Sequence, residues 1–240
     1  MSIYNTWPRS PKQMVDEKLR RSYHKAMVKA LRPAAVAAGW RKRDDCVYRE
    51  KGDWLIVVDL EVSNNYPKTC AKFRVKPLAL DDIMLQLANA QDPKRLSNSY
   101  RALGFGNCEV PPLYEEWWKD EQTDIDANVA TFLKVAATSD KRLDGIKDSS
   151  FADYVADYRC PHGRDDYGRA LISALVLENR LSEALDVTDA YLDGRRKATT
   201  TMNFCSSSDS ETSSRFEFLA QQNIKAIMQP RNQSDDRRHQ

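Results

Sequence analysis

The chain has 240 residues, 41% of them apolar and 30% charged, with a net charge of +2, a balance that describes a water-soluble globular protein and excludes a largely disordered one. No apolar run reaches the roughly 18 residues needed to span a bilayer, and residues 1–11 hold no apolar leader, so neither a membrane helix nor a secretory signal is expected. Cys46, Cys70, Cys108, Cys160 and Cys205 are widely spaced and form no C-x-x-C pair; they make a poor disulfide framework and a poor zinc site, and predict free thiols in a cytoplasmic protein.

The charge is unevenly spread. Residues 1–51 carry 13 Lys and Arg against 5 Asp and Glu, or +8, and residues 52–112 carry 7 against 7. Residues 113–160 carry 6 against 11, or −5, and residues 161–240 carry 11 against 12, or −1. A basic head and an acidic middle predict either an attraction within the chain or an acidic partner for the head.

Residues 2–11 are turn-rich and read as an extended arm. From Lys12 the apolar residues Val15, Leu19, Tyr23, Ala26, Ala30 and Leu31 recur at three- and four-residue steps, predicting a long amphipathic helix with Lys18, Arg20, Arg21, Lys25 and Lys29 on its exposed surface. Pro33 is expected to kink this helix or begin a new one, and Gly39 to cap it. The period then changes to alternation. Residues 46–50 form a short strand and 51–53 a turn. In the next run Trp54, Ile56, Val58, Leu60 and Val62 make an apolar face, while Leu55, Val57, Asp59 and Glu61 make one that turns acidic. A third run sets Ala71, Phe73 and Val75 on one face and Lys72, Arg74 and Lys76 on the other. These patterns predict a helix packed on an antiparallel sheet.

After Pro77 the chain reads as helices. Asp81 and Asp82 suit an N-cap ahead of residues 83–90, and Pro93 opens a turn leading through Leu96, Tyr100 and Leu103 to Gly104. The stretch 104–112 reads as a loop or hinge. Helices are expected to open at 114–118, around Val129, Phe132, Leu133 and Ala136, and at 151–158. Residues 167–192 form the clearest pair, joined at Glu178-Asn179-Arg180; the pair resembles one hairpin of a tetratricopeptide-type repeat, but a single copy predicts an isolated αα-hairpin. Residues 199–214 are small and hydroxylated and read as a mobile loop, 216–228 as a final helix and 229–240 as a disordered tail. The expected organisation is an α+β domain over 1–110, a helical region over 111–228 and the tail.

Chemistry-bearing residues are sparse. His24, His162 and His239 are the only histidines. Cys160 and His162 lie too close in sequence, with no orienting acid, to predict a nucleophilic pair. Gly104-Phe105-Gly106 follows a helix where a dinucleotide fingerprint must follow a strand. No P-loop, G-x-S-x-G or H-E-x-x-H motif occurs, and no cofactor is expected. Asp59 and Glu61 project from one strand face with backbones roughly 6–7 Å apart, a spacing that suits a divalent ion or split acid and base roles. Lys72, Arg74 and Lys76 on the neighbouring strand predict instead a charge-paired wet face. Arg41, Lys42 and Arg43 suit phosphate contacts, with Trp40 and Tyr48 as stacking surfaces. Trp117 and Trp118, flanked by Glu115 and Glu116, are candidate anchors for a partner, one of them core and the other exposed.

The succession Leu31-Arg32-Pro33, Gly39-Trp40, Arg41-Lys42-Arg43, Tyr48-Arg49 and the apolar strand Trp54–Val62 resembles a bacterial family known only as a domain of unknown function. The resemblance covers about the first half of the chain. It implies an α+β helix-on-sheet fold in a bacterial cytoplasmic protein and brings no catalytic residue; such families often accompany toxin, immunity or phage-defence components. The expected function is a non-enzymatic protein-binding module, of the immunity or phage-defence adaptor kind. The alternatives are a nucleic-acid binder using the basic N-terminal region and a metal-dependent hydrolase using Asp59 and Glu61.

Overall fold

A computed structural model describes residues 11–63, 68–90, 97–103, 108–119, 124–158, 167–196 and 209–229, the side chains of 11–16 and 209–215 excepted. Helix α1 (Pro11–Ala37) is defined by Tyr23, Met27, Leu31 and Ala35, one every four residues and all buried. It runs through Pro33 as one helix, so no new helix begins there. Pro33 is exposed and sits in the penultimate turn, where it forfeits one hydrogen bond while the buried stripe continues on both sides of it. The helix ends where Gly39 adopts φ +77°. Trp40 N–H donates to the Ala35 carbonyl (2.9 Å) and Gly39 N–H to that of Val36 (3.0 Å), the paired bonds of a left-handed cap.

Five antiparallel strands follow in the order β1-β2-β3-β4-β5: β1 (Arg41–Arg43), β2 (Cys46–Lys51), β3 (Trp54–Val62), β4 (Lys68–Pro77) and β5 (Tyr114–Lys119). Cys46 lies opposite Asp59, and Lys51 opposite Trp54. The fold class is therefore α+β, as the alternating patterns predicted. Strand β5 corrects the helix expected at 114–118. Its residues alternate half-buried and exposed, a period of two, and a six-residue run rich in Tyr and Trp pairs with β4 from Phe73↔Tyr114 to Lys68↔Lys119. Helix α4 (Ile125–Ala136) is capped by Asp124, which accepts from Ala127 N–H at 2.9 Å. Helix α5 (Ser139–Lys147) was not expected, because few of its residues are apolar. It is held to the sheet by charge: Asp140 meets Arg49 (2.7 Å) and Lys51 (3.7 Å), and Asp144 meets Lys51 (3.6 Å). Arg142 lies over the Tyr114 ring at 3.3 Å.

The chain forms two compact units, residues 1–75 with 112–144 and residues 76–111 with 145–240. The first is discontinuous, holding α1, the sheet and α4, with the opening turns of α5. The second holds α2 (Ala79–Leu87), α3 (Asn98–Leu103), α6 (Phe151–Asp157), α7 (Gly168–Leu177), α8 (Leu181–Leu192) and α9 (Asp209–Met228). The hairpin α7–α8 turns at Asn179, with φ 59°, and any side chain at Gly168 would strike the Tyr191 ring. Helix α9 packs on α8 and α2, with Asn223 donating to the Leu87 carbonyl at 2.9 Å. It begins at Asp209, ahead of the expected 216, so the run read as a loop is helical over 209–214; residues 197–208 and the tail 230–240 lie outside the described residues. Arg180 ties α6 to the hairpin, reaching Asp153 (2.6 Å), Ser150 (3.1 Å) and Glu183 (2.6 and 2.8 Å).

Gly39→Ala is expected to lower stability by about 1 kcal/mol, the cost of a left-handed conformation for a residue with a Cβ, since no atom lies within 4 Å of that Cβ; the urea midpoint followed by tryptophan fluorescence reads it. The Arg180 hydrogen bonds hold Asp153 and Glu183 below their ordinary values of 3.8 and 4.5. Depressed carboxylate pKa values give stability that is present above those values and is lost as pH falls through the folded ones. Carboxyl NMR titration should show both midpoints rising toward the ordinary values in Arg180→Met.

Candidate functional site

Helix geometry turns the N-terminal charge into a surface. At about 100° per residue, Lys18, Lys25, Lys29 and Arg32 fall within an arc of about 60°, opposite the buried stripe, over about 21 Å of helix. All four are exposed. Among the described residues none has a carboxylate partner, whereas Arg21 is engaged by Glu17 one turn away. Val36 continues the same line, and Leu19 lies on the flank between that line and the buried stripe; both are exposed, at 65% and 52%. Burial and then the nearby Arg32 guanidinium lower the pKa of Lys42, so the basic line of α1 approaches β1. Arg32 is the member that sequence reasoning missed; it was read only as part of the Leu-x-Pro step.

The three residues of β1 are less available than their sequence suggested. Arg41 has Glu50 at 3.9 Å and Arg43 has Asp44 at 3.4 Å, while Lys42 donates to the Asp44 carbonyl. The expected stacking surfaces are core: Trp40 is 3% exposed and Tyr48 7%, with the Arg49 guanidinium 4.2 Å from the centre of the Trp40 ring. Trp40 follows a left-handed cap, and that position turns inward.

Asp59 and Glu61 are bound by their neighbours on β4. Arg74 donates through Nε and Nη2 to both Asp59 oxygens at 2.5 Å, and Lys72 Nζ lies 2.5 Å from Glu61 and 3.7 Å from Glu115. Burial works against the Lys72 ammonium, but the Glu61 hydrogen bond and the Glu61 and Glu115 charges outweigh it and raise its pKa. Among the described residues no group of three His, Cys, Asp or Glu is placed to hold a metal ion. Trp117 and Trp118 divide as alternation requires, Trp117 exposed at 44% and Trp118 half-buried. Cys160, His162, His239 and the Gly104-Phe105-Gly106 run lie outside the described residues.

A buried polar cluster in the second unit was not expected. Lys76 leaves the wet face assigned to it and is buried, as is Asp81, which caps nothing: the N-cap position of α2 is Leu78, with no side-chain bond. Lys76 Nζ sits 2.9 Å from each Asp81 oxygen and from the Cys108 carbonyl. Cys108 N–H donates to Asp81 at 2.8 Å, and its Sγ lies 3.6 Å from Ser173 Oγ. The physical reason is that β5 accompanies β4 only as far as Phe73, so the alternation that governs Lys72 no longer sets the environment of Lys76. Burial, followed by the Asp81 charge, pushes the Cys108 thiol up to about 12; burial also pushes Cys46 and Cys70 up to about 12. Thiols so raised are protonated at neutral pH and are not nucleophiles. An open groove of about 670 Å³ at the ends of α2 and α9, lined by Gln86, Leu87, Asn89, Asn223, Ile227 and Met228 among others, presents amides and apolar groups but no titratable side chain.

Compared with protein-family models, curated proteins and solved structures, the chain has no match. Lys76→Met is expected to cost about 3 kcal/mol, because it removes the nearer countercharge of the buried Asp81 carboxylate and leaves it only the Arg101 guanidinium at 3.9 Å. Urea unfolding reads the loss, and Lys76→Met with Asp81→Asn should recover much of it.

Proposed function

We propose that the protein is a non-enzymatic binding protein whose first unit docks the acidic surface of another protein along α1. The observation that carries this reading is the basic line Lys18, Lys25, Lys29 and Arg32, unpaired among the described residues and set opposite the buried stripe. Cations on a folded surface are commonly balanced by nearby acids, as Arg21, Arg41 and Arg43 are here. A line left unbalanced along a rigid helix favours an anionic partner and steers its approach. Exposed Val36 and Leu19 supply the apolar contacts that protein interfaces combine with charge. The three protonated, buried thiols and the ion-paired Asp59 and Glu61 support binding over catalysis.

A nucleic acid is the second reading, favoured by the same line of cations, since phosphate contacts need no stacking platform. The burial of Trp40 and Tyr48 removes the aromatic surfaces that single-strand binding would use. The two readings separate in one experiment. Capture from a bacterial lysate at low salt is compared for the wild type and for Lys25→Glu with Lys29→Glu and Arg32→Glu, before and after nuclease treatment. The expected result is a protein partner that survives nuclease, associates about tenfold more slowly with the variant at low salt, and loses that difference near 1 M salt, where the screening length is about 3 Å. Nuclease-sensitive capture, with duplex affinity falling log-linearly with salt, supports the second reading. Undiminished capture by the variant overturns both.

A further inference from the structure

Strand β5 is the terminal strand of the sheet, and its outward-facing residues have an order that the helix expectation concealed. Glu115, Trp117 and Lys119 occupy alternate, exposed positions on one face. Antiparallel pairing of this strand with the same strand of a second copy, centred on Trp117, sets Glu115 opposite the second copy's Lys119 and Lys119 opposite its Glu115. The two Trp117 rings then meet on the two-fold axis. We infer that β5 is a homodimerisation edge that joins two five-stranded sheets through this register.

Charge selects both the partner and the register. Within the chain, Lys119 stands directly opposite Lys68, a like-charge pair that is unfavourable in a sheet, and among the described residues Lys119 has no carboxylate partner. A second copy's Glu115 supplies one. Glu115 already has Lys72 at 3.7 Å on its inner side, and Lys72 in turn has Glu61. Pairing through Trp117 therefore extends the sequence Glu61, Lys72, Glu115 by a lysine of the other copy, alternating sign across the wet face. Sliding the register so that Glu116 lies on the axis opposes two glutamates. A slide by one residue brings the wet face of one sheet onto the covered face of the other, the penalty that period-two side chains impose. The inference concerns a different surface from the basic line of α1 and does not depend on it.

Sedimentation velocity tests it on the full chain, with Lys119→Glu, Glu115→Lys and their equimolar mixture. The wild type is expected to dimerise at about 100 µM, a concentration at which weak edge pairing is populated. Each variant alone is expected to associate at least tenfold more weakly, because two ion pairs become two repulsions. Mixing the two variants should restore the dimer, since positions 115 and 119 are then both acidic on one chain and face two lysines on the other. Lys119→Glu also exchanges the Lys68 repulsion for an attraction, so its thermal midpoint should hold or rise, separating loss of dimer from loss of fold. A wild type that remains monomeric at that concentration overturns the inference. So does a dimer that Lys119→Glu leaves intact, or two monomeric variants that fail to pair on mixing.

Discussion

The first unit depends on a central strand that is apolar on both faces at one end and on only one at the other. Leu55, Ile56, Val57 and Val58 are all buried, although successive residues point to opposite sides of the sheet. A strand of this kind cannot stand in a two-layer arrangement with one face in water along its whole length. It requires covering structure near its start, and α1 contacts this strand. Further on, Asp59 and Glu61 replace the second apolar face, and the same side of the sheet becomes wet. Arg74 and Lys72 then fix β4 against β3 with two-point and single ion pairs, worth little as stability where exposed but costly to leave out of register. The residues most suggestive of a catalytic pair thus serve as register marks.

Charge also substitutes for apolar surface in α5. Its sequence has too few apolar residues to announce a core helix, yet Leu143 is fully buried. Asp140, Asp144 and Arg142 bind it to Arg49, Lys51 and the Tyr114 ring. A helix held in this way has a narrow tolerance. Losing Asp140 leaves the half-buried Arg49 on β2 without the countercharge that meets it at 2.7 Å. The Lys76–Asp81 pair of the second unit is the more extreme form, with both ions inside and the backbone of Cys108 supplying further hydrogen bonds to each.

Periodicity made the helix-on-sheet core legible in outline, because the alternation of β3 is a local pattern that tertiary packing reinforces; of the stripe expected on α1, Tyr23 and Leu31 are buried, but Met27 and Ala35 were not in it and Leu19 is exposed. What the sequence concealed has a common physical origin in long-range pairing. Tyr114–Lys119 is short, and its two adjacent tryptophans obscure the period of two; its strand character comes from β4, some forty positions earlier. Lys76 follows Lys72 and Arg74 in perfect alternation, but it lies past the reach of β5, and its surroundings are set by α2 and Cys108 instead. The paired acids at Asp59 and Glu61 were legible as charge-paired, since β3 and β4 are close in sequence and their facing charges can be matched by eye. Trp40 and Tyr48 were misassigned to the surface because aromatic residues beside a basic cluster carry no local mark of which way they turn.

The two edges of the sheet meet the problem of open strands differently. Strand β1 is three residues long and wholly basic; a second copy of it would be repelled, and its length offers few backbone bonds. Short, single-signed edges of this kind discourage strand addition. Strand β5 is twice as long, carries an exposed tryptophan, and bears charges of both signs. Its acid and base stand on either side of that tryptophan, so reversing the strand exchanges their positions and turns self-pairing from repulsive to attractive. An edge protected against association would place one sign throughout, as β1 does. The order of charges on β5 leaves it open to one partner in one register, and the opposition of Lys68 and Lys119, which no acid among the described residues relieves, gives that pairing a reason to form.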